Sequence, residues 1–228
     1  SPTSKPSDKP SPKPTTPEPS AKPTTKPSPA PTSSPTVETG MFCRPEKDIE
    51  VSHGGFEWNE TYAGAECLLK TTENANNIAL VDANTSNVSL SVTFMQSSNT
   101  TYQVSAIMLR SSNDGGYDQS SWCMGQERLI CEVQVRDFSK VKLEFLECAS
   151  DDETEFYEGE LVSFNQNEWY TQKMSAIGGE LKCELYDSSE NLVQSIIANS
   201  SDYSQSLKDL DHVGFGAYGK DYFFRSYD

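Results

Sequence analysis

Beyond residue 35 this sequence has almost no proline: of its thirteen prolines, only Pro45 lies past that point. Histidine is nearly absent as well. His53 and His212 stand far from any cysteine and read as surface or turn residues, and no Cys-x2-Cys pair occurs, so the usual zinc-ligand spacings are excluded. There is no Gly-x-Ser-x-Gly, no Gly-rich phosphate cradle and no histidine in a triad context. No run approaches the roughly 18 apolar residues of a membrane span, and no leader-like stretch opens the chain, so no membrane insertion within this chain is expected. Positive charge is also short. Eighteen Lys and Arg against 34 Asp and Glu give a formal net charge of −16, which makes nucleic acid and anionic membrane poor partners.

What is present divides into segments. Residues 1–36 are almost wholly Pro, Ser, Thr, Lys and Ala, with no aromatic, so they cannot bury enough apolar surface to offset chain entropy. The expectation is a disordered spacer with polyproline bias, reaching roughly 110 Å at about 3.1 Å per residue. Its composition also suits an O-glycosylated stalk. Five lysines against Asp8 and Glu18 give this segment +3, so the rest of the chain carries −19. Residues 37–86 read as a small cysteine-braced lead-in, and 87–228 as the main domain.

Five Asn-x-Ser/Thr sequons, at Asn59, Asn84, Asn87, Asn99 and Asn199, accompany an even set of six cysteines. With a mucin-like spacer they point to one compartment, extracellular, as a secreted or cell-surface protein with its cysteines in disulfides. Six cysteines allow fifteen pairings. Cys123 and Cys131 flank a short connection and Cys43 and Cys67 bracket a small unit, which leaves Cys148 with Cys183.

From Asn87 onward β-branched and aromatic residues recur with period two. The pattern predicts strands over 88–94, 102–110, 129–136, 140–147, 168–177, 180–187, 191–197, 212–218 and 221–227, and nothing of helical length competes. Gly178-Gly179 predicts a two-residue hairpin, since both positions tolerate positive φ. Across it Met174 and Ala176 should share a face with Leu181, Cys183 and Leu185, leaving Lys173, Lys182 and Glu184 outward. Trp169, opening the hairpin, is expected to turn its ring to the core. About nine short strands alternating in this one-sided way predict an all-β, antiparallel two-sheet sandwich.

Three stretches then resemble a known family. "NEWYTQKMSAIGGELKCELYD", "VSAIMLRSSNDGGYDQSSW" and "HVGFGAYGKDYFF" resemble, in order, hairpins and turns of concanavalin A-like, laminin G-like jelly rolls. The resemblance implies a jelly-roll sandwich over about 87–228, with Phe215, Phe223 and Phe224 mostly filling it and Gly214 and Gly216 permitting close packing. Arg225 stands where members often have Asp, so no role for that carboxylate carries over. A shorter stretch, Trp58-x2-Thr61-x2-Gly64 between Cys43 and Cys67, resembles the hormone-receptor-type module of adhesion receptors; the bland reading is a lead-in capping one edge of the sandwich.

Catalysis is not expected. "DDETEFYEGE" places Glu153, Glu155 and Glu158 in an echo of the E-x-D-x-x-E motif of jelly-roll glucanases, which would supply the paired carboxylates that retaining hydrolysis needs. The central Asp is Glu155, however, and the same residues read as a solvated, acidic edge-strand face. Sandwich loops carry recognition, so the binding candidates are Asn113, Tyr117 and Trp122, with Asp114 and Asp118 able to hold calcium, and no other cofactor is implied. The reading is a non-catalytic extracellular recognition module for a glycan or an extracellular protein, with a structural spacer domain or a jelly-roll glucanase as alternatives.

Overall fold

The computed structural model describes residues 38–39, 49–62, 65–82, 87–97, 103–111, 123, 127–137, 139–149, 152–204, 207 and 212–228. Among these there is no α-helix. The strands are β1 (Glu38–Thr39), β2 (Glu50–His53), β3 (Phe56–Tyr62), β4 (Ala65–Thr71), β5 (Asn76–Asp82), β6 (Val88–Gln96), β7 (Gln103–Ser111), β8 (Arg128–Asp137), β9 (Lys140–Ala149), β10 (Asp152–Glu158), β11 (Val162–Ser163), β12 (Trp169–Ile177), β13 (Glu180–Tyr186), β14 (Leu192–Asn199), β15 (His212–Tyr218) and β16 (Tyr222–Tyr227). They make two eight-stranded sheets. Sheet A runs β1-β4-β16-β6-β12-β13-β14 with β3 also on β4, and sheet B runs β10-β9-β8-β7-β15-β5-β2 with β11 also on β9. All the described pairings are antiparallel except the short β1–β4 contact.

The nine strands predicted after residue 87 are all present, and their alternation builds the core. Phe94, Tyr170, Met174, Leu181 and Phe224 of sheet A meet Ile107, Leu129, Val133, Phe145 and Phe215 of sheet B in one buried cluster. Gly178 and Gly179 form the two-residue turn with φ of +59° and +91°, and Met174 pairs with Cys183 and Ala176 with Leu181 as expected. Trp169 does not follow expectation. It pairs with Met95, while Tyr170 pairs with Phe94; strand parity therefore puts Tyr170 in the core and Trp169 on the outer face of sheet A. There it packs with Leu68, Met95 and Phe223, and the Arg225 guanidinium lies 4.9 Å from its ring centre. Phe223 is likewise outside, stacked on Tyr62 at 4.4 Å, whereas Phe215 and Phe224 meet in the core with centroids 5.0 Å apart.

The segment read as a lead-in is instead part of both sheets. β4 pairs with β16 and β3 in sheet A, and β5 pairs with β15 and β2 in sheet B. Val37–Asp228 is accordingly one unit, and the β3–β4 hairpin leaves no separate hormone-receptor-type module. Thr71 Oγ1 donates to Gly219 O at 2.9 Å and accepts from Tyr222 N at 3.1 Å, so β4 holds the turn between the last two strands. Residues 1–36 and Cys43 lie outside the described residues.

The disulfides also differ from the expected pairing. Cys131 of β8 is bonded to Cys183 of β13, joining the two sheets through the core, and Cys123 is bonded to Cys148 of β9. Chain proximity misled the prediction: Cys131 points inward and Cys148 outward, because Cys131 sits opposite Phe145 while Arg128 sits opposite Cys148. Cys67 is disulfide-bonded as well, and no described cysteine is free.

Candidate functional site

Sheet B has a second buried face, turned away from the inter-sheet core. Ile78 and Leu80 of β5, Val104, Ala106 and Met108 of β7, Ile130 of β8 and Leu146 of β9 cluster there with the Cys123–Cys148 bridge. Two cross-strand rows carry polar groups on this face. One runs Ala106–Glu132–Glu144–Glu158 across β7, β8, β9 and β10, and the next runs Asn76–Tyr218–Val104–Gln134–Lys142. A bulge between Glu155 and Tyr157 resets the alternation of β10. The bulge brings Glu155 and Glu158 to the same face as Glu144, with carboxylate oxygens of all three within 4.8 Å of one another.

Glu132 and Glu144 are directly opposed and only 3% and 2% exposed. Like charges so placed repel, and cations answer them. Lys142 Nζ contacts carboxylate oxygens of both Glu144 and Glu158, and Arg136 Nη2 donates to Glu144 Oε1 at 3.3 Å. Burial works against charge on Lys142, but its bonds to Glu144 and Glu158 outweigh that and raise its pKa. Withdrawal from water and then the Glu144 charge raise Glu155, while the Lys142 hydrogen bond holds Glu158 below the ordinary glutamate value.

The result is a buried floor of Glu132, Gln134, Lys142 and Glu144 with an exposed rim of Arg136, Glu155 and Glu158. Among the described residues, Gln134 Oε1 in the floor, on a residue 5% exposed, accepts no hydrogen bond, and neither does the buried Asn76 Oδ1 in the same row. A buried amide oxygen without a donor costs about 1–3 kcal/mol, so both are acceptors left unused among the described residues.

Of the sequence-derived candidates, Glu155 and Glu158 come together, and Glu153 lies apart in register with Cys148. Glu144, from a different strand, takes the third place. Sequence offered no signal for that, because its neighbourhood depends on the β9–β10 register and the bulge. The glucanase reading requires one free ionised carboxylate beside one protonated acid. Here Glu144 is held by Lys142 and Arg136 and Glu158 by Lys142, and a calcium ion among the same three carboxylates would have to displace the Lys142 ammonium, so the residues do not fit a calcium site. Asn113, Asp114, Tyr117, Asp118 and Trp122 lie outside the described residues, as do Asn84 and Asn99. Asn59 lies on β3, and Asn87 and Asn199 are exposed.

No family model matches the sequence, and no curated protein does either. The fold is widely shared. Carbohydrate-binding module CBM66 from Bacillus subtilis superposes with a TM-score of 0.54 at 14% identity, over 84% of this chain and 98% of that one. The legume lectin-like domain from Entamoeba histolytica gives 0.53 at 10%, over 79% and 88%. The exoplasmic/lumenal domain of VIP36, in a Ca2+/Man-bound form, gives 0.53 at 8%, over 76% and 80%. The architecture is thus the concanavalin A-like jelly-roll sandwich of lectins and carbohydrate-binding modules. Since 84% of 228 residues is more than 87–228 can supply, the shared fold extends into the segment that carries β2 to β5.

Proposed function

We propose that this chain is a non-catalytic extracellular recognition module that binds carbohydrate on the outer face of sheet B. The observation that carries the reading is the pair of polar rows on that face, with half-buried Tyr218 and the unused amide oxygens of Gln134 and Asn76 in one and the exposed rim of Arg136, Glu155 and Glu158 beside them. Sugars offer hydroxyl donors for such acceptors and an apolar ring face for an aromatic. The fold's lectin and carbohydrate-binding neighbours support this, although fold alone does not assign function. Disulfides across and within the sheets support an oxidising compartment.

The test is a glycan array and calorimetry on the whole chain, repeated with Gln134→Met. Because Oε1 makes no bond among the described residues and Met keeps the side-chain volume, that variant should keep its melting temperature while losing affinity. Retained affinity would move the site to the connection between Ser111 and Cys123, where a Tyr117→Ala, Asp118→Ala variant and a calcium chelator test the rim of Asn113, Tyr117, Trp122 and the two aspartates. Capture of no glycan at all would favour a structural spacer domain, and release of sugar from β-glucans, lost in Glu155→Gln, would favour the hydrolase.

A further inference from the structure

We infer that Asn87 and Asn199 are N-glycosylated and that their glycans cover an apolar pair, Ile177 and Ile197, at the Gly178-Gly179 end of sheet A. Ile177 is 57% exposed and Ile197 47% exposed, both on the outer face. Register places them between the two sequons. Val88 pairs with Ala176, so Asn87 lies opposite Ile177; Ile177 pairs with Glu180, and Glu180 with Asn199. Asn87, Ile177, Glu180 and Asn199 therefore form one row over four neighbouring chain segments, about 14 Å end to end at about 4.8 Å per strand. Ile197 lies one row in, on the same strand as Asn199 and paired with Lys182.

Local bonds fix both asparagines at the hairpin. Gly178 N donates to Asn87 Oδ1 at 3.2 Å, a bond that uses the oxygen and not the nitrogen that carries a glycan. Ser200 N donates to Gly179 O at 2.8 Å, which seats the Asn199 turn against the same two glycines. Asn87-Val88-Ser89 and Asn199-Ser200-Ser201 satisfy the acceptor rule with no proline in the middle. In the transfer, Nδ2 bonds to the anomeric carbon of a lipid-linked oligosaccharyl pyrophosphate, the pyrophosphoryl lipid departs and the amide gives up one proton. Ile177 is one strand spacing from Asn87 and two from Asn199, so the first sugars on either side lie over it with their apolar ring faces.

The test uses the full chain secreted from a eukaryotic host. Glycopeptide mapping should show both asparagines occupied, and finding both bare would overturn the inference. Ser89→Ala with Ser201→Ala removes both sequons while keeping the Asn87–Gly178 bond. The expected result is a rise in ANS fluorescence and a higher sedimentation coefficient, both reversed when Ile177→Ser and Ile197→Ser are added. Unchanged dye binding after loss of the glycans, or a rise that the serines do not reverse, would equally sink it.

Discussion

Trp169 and Tyr170 are adjacent, yet they belong to different faces of sheet A. Tyr170 stacks on Phe164 at 4.5 Å and its hydroxyl accepts from Asn165 N at 2.9 Å, so Tyr170→Ala should cost about 3–5 kcal/mol. Trp169→Ala removes a half-buried ring and should cost about 2 kcal/mol. Denaturant melts of the two variants check the order; a larger loss at Trp169 would contradict the register. At the carboxylate cluster the pH dependence divides in sign. Glu158 has a lowered folded pKa, so its stabilisation is present above the unfolded value and is lost as pH falls through the folded one; Glu155, raised, contributes stability below the unfolded value that is lost as pH rises through the folded one. Carbon-detected NMR titration should find Glu155 above and Glu158 below the ordinary glutamate value. Lys142→Met should bring Glu158 back up and, by leaving buried Glu144 with Arg136 alone, cost about 3 kcal/mol at neutral pH.

Among the elements, β15 has two glycines that leave no room for a side chain against β5. A Cβ on Gly216 would stand 2.1 Å from Asn77 O, and one on Gly214 2.6 Å from Ala79 O, both backbone atoms of β5. Gly216→Ala should therefore force the strands apart and cost about 3 kcal/mol or more, read as a lower urea midpoint with slowed exchange protection lost in β5 and β15. The need for these glycines was legible in "HVGFGAY", as were the strands with one wet face, such as β12 and β13. β4 and β5 were not: Leu68 and Leu69 are both buried, as are Ile78, Ala79 and Leu80, because these strands bury side chains on both faces of their sheets. Such strands lose the period-two signal. The candidate site was half legible for a related reason. "ETEFYE" announced carboxylates, but the bulge that aligns Glu155 with Glu158, and the cross-strand arrival of Glu144, Lys142 and Gln134, are matters of pairing that no single segment encodes.

For the whole molecule, the Cys131–Cys183 bridge is the one described covalent tie between the sheets. It spans 52 residues in sequence, a loop length for which chain-entropy loss in the unfolded state corresponds to about 4 kcal/mol. Replacing both cysteines by alanine should lower stability by about that amount, measured by calorimetry, with the outer face of sheet B unchanged if the fold persists. The order of strands has a further effect. β15 lies between β7 and β5, and β16 between β4 and β6, with Asp228 N donating to Ser91 O at 2.9 Å and Ser91 N to Asp228 O at 2.7 Å. During synthesis each sheet therefore waits with a gap at its centre until residues 212–228 have cleared the ribosome. Until then β4, β5, β6 and β7 expose unpaired edges, the state in which a nascent chain is most open to wrong pairing. A stop or frameshift ahead of residue 212 would leave both sheets unclosed, and the product would be cleared as a misfolded chain.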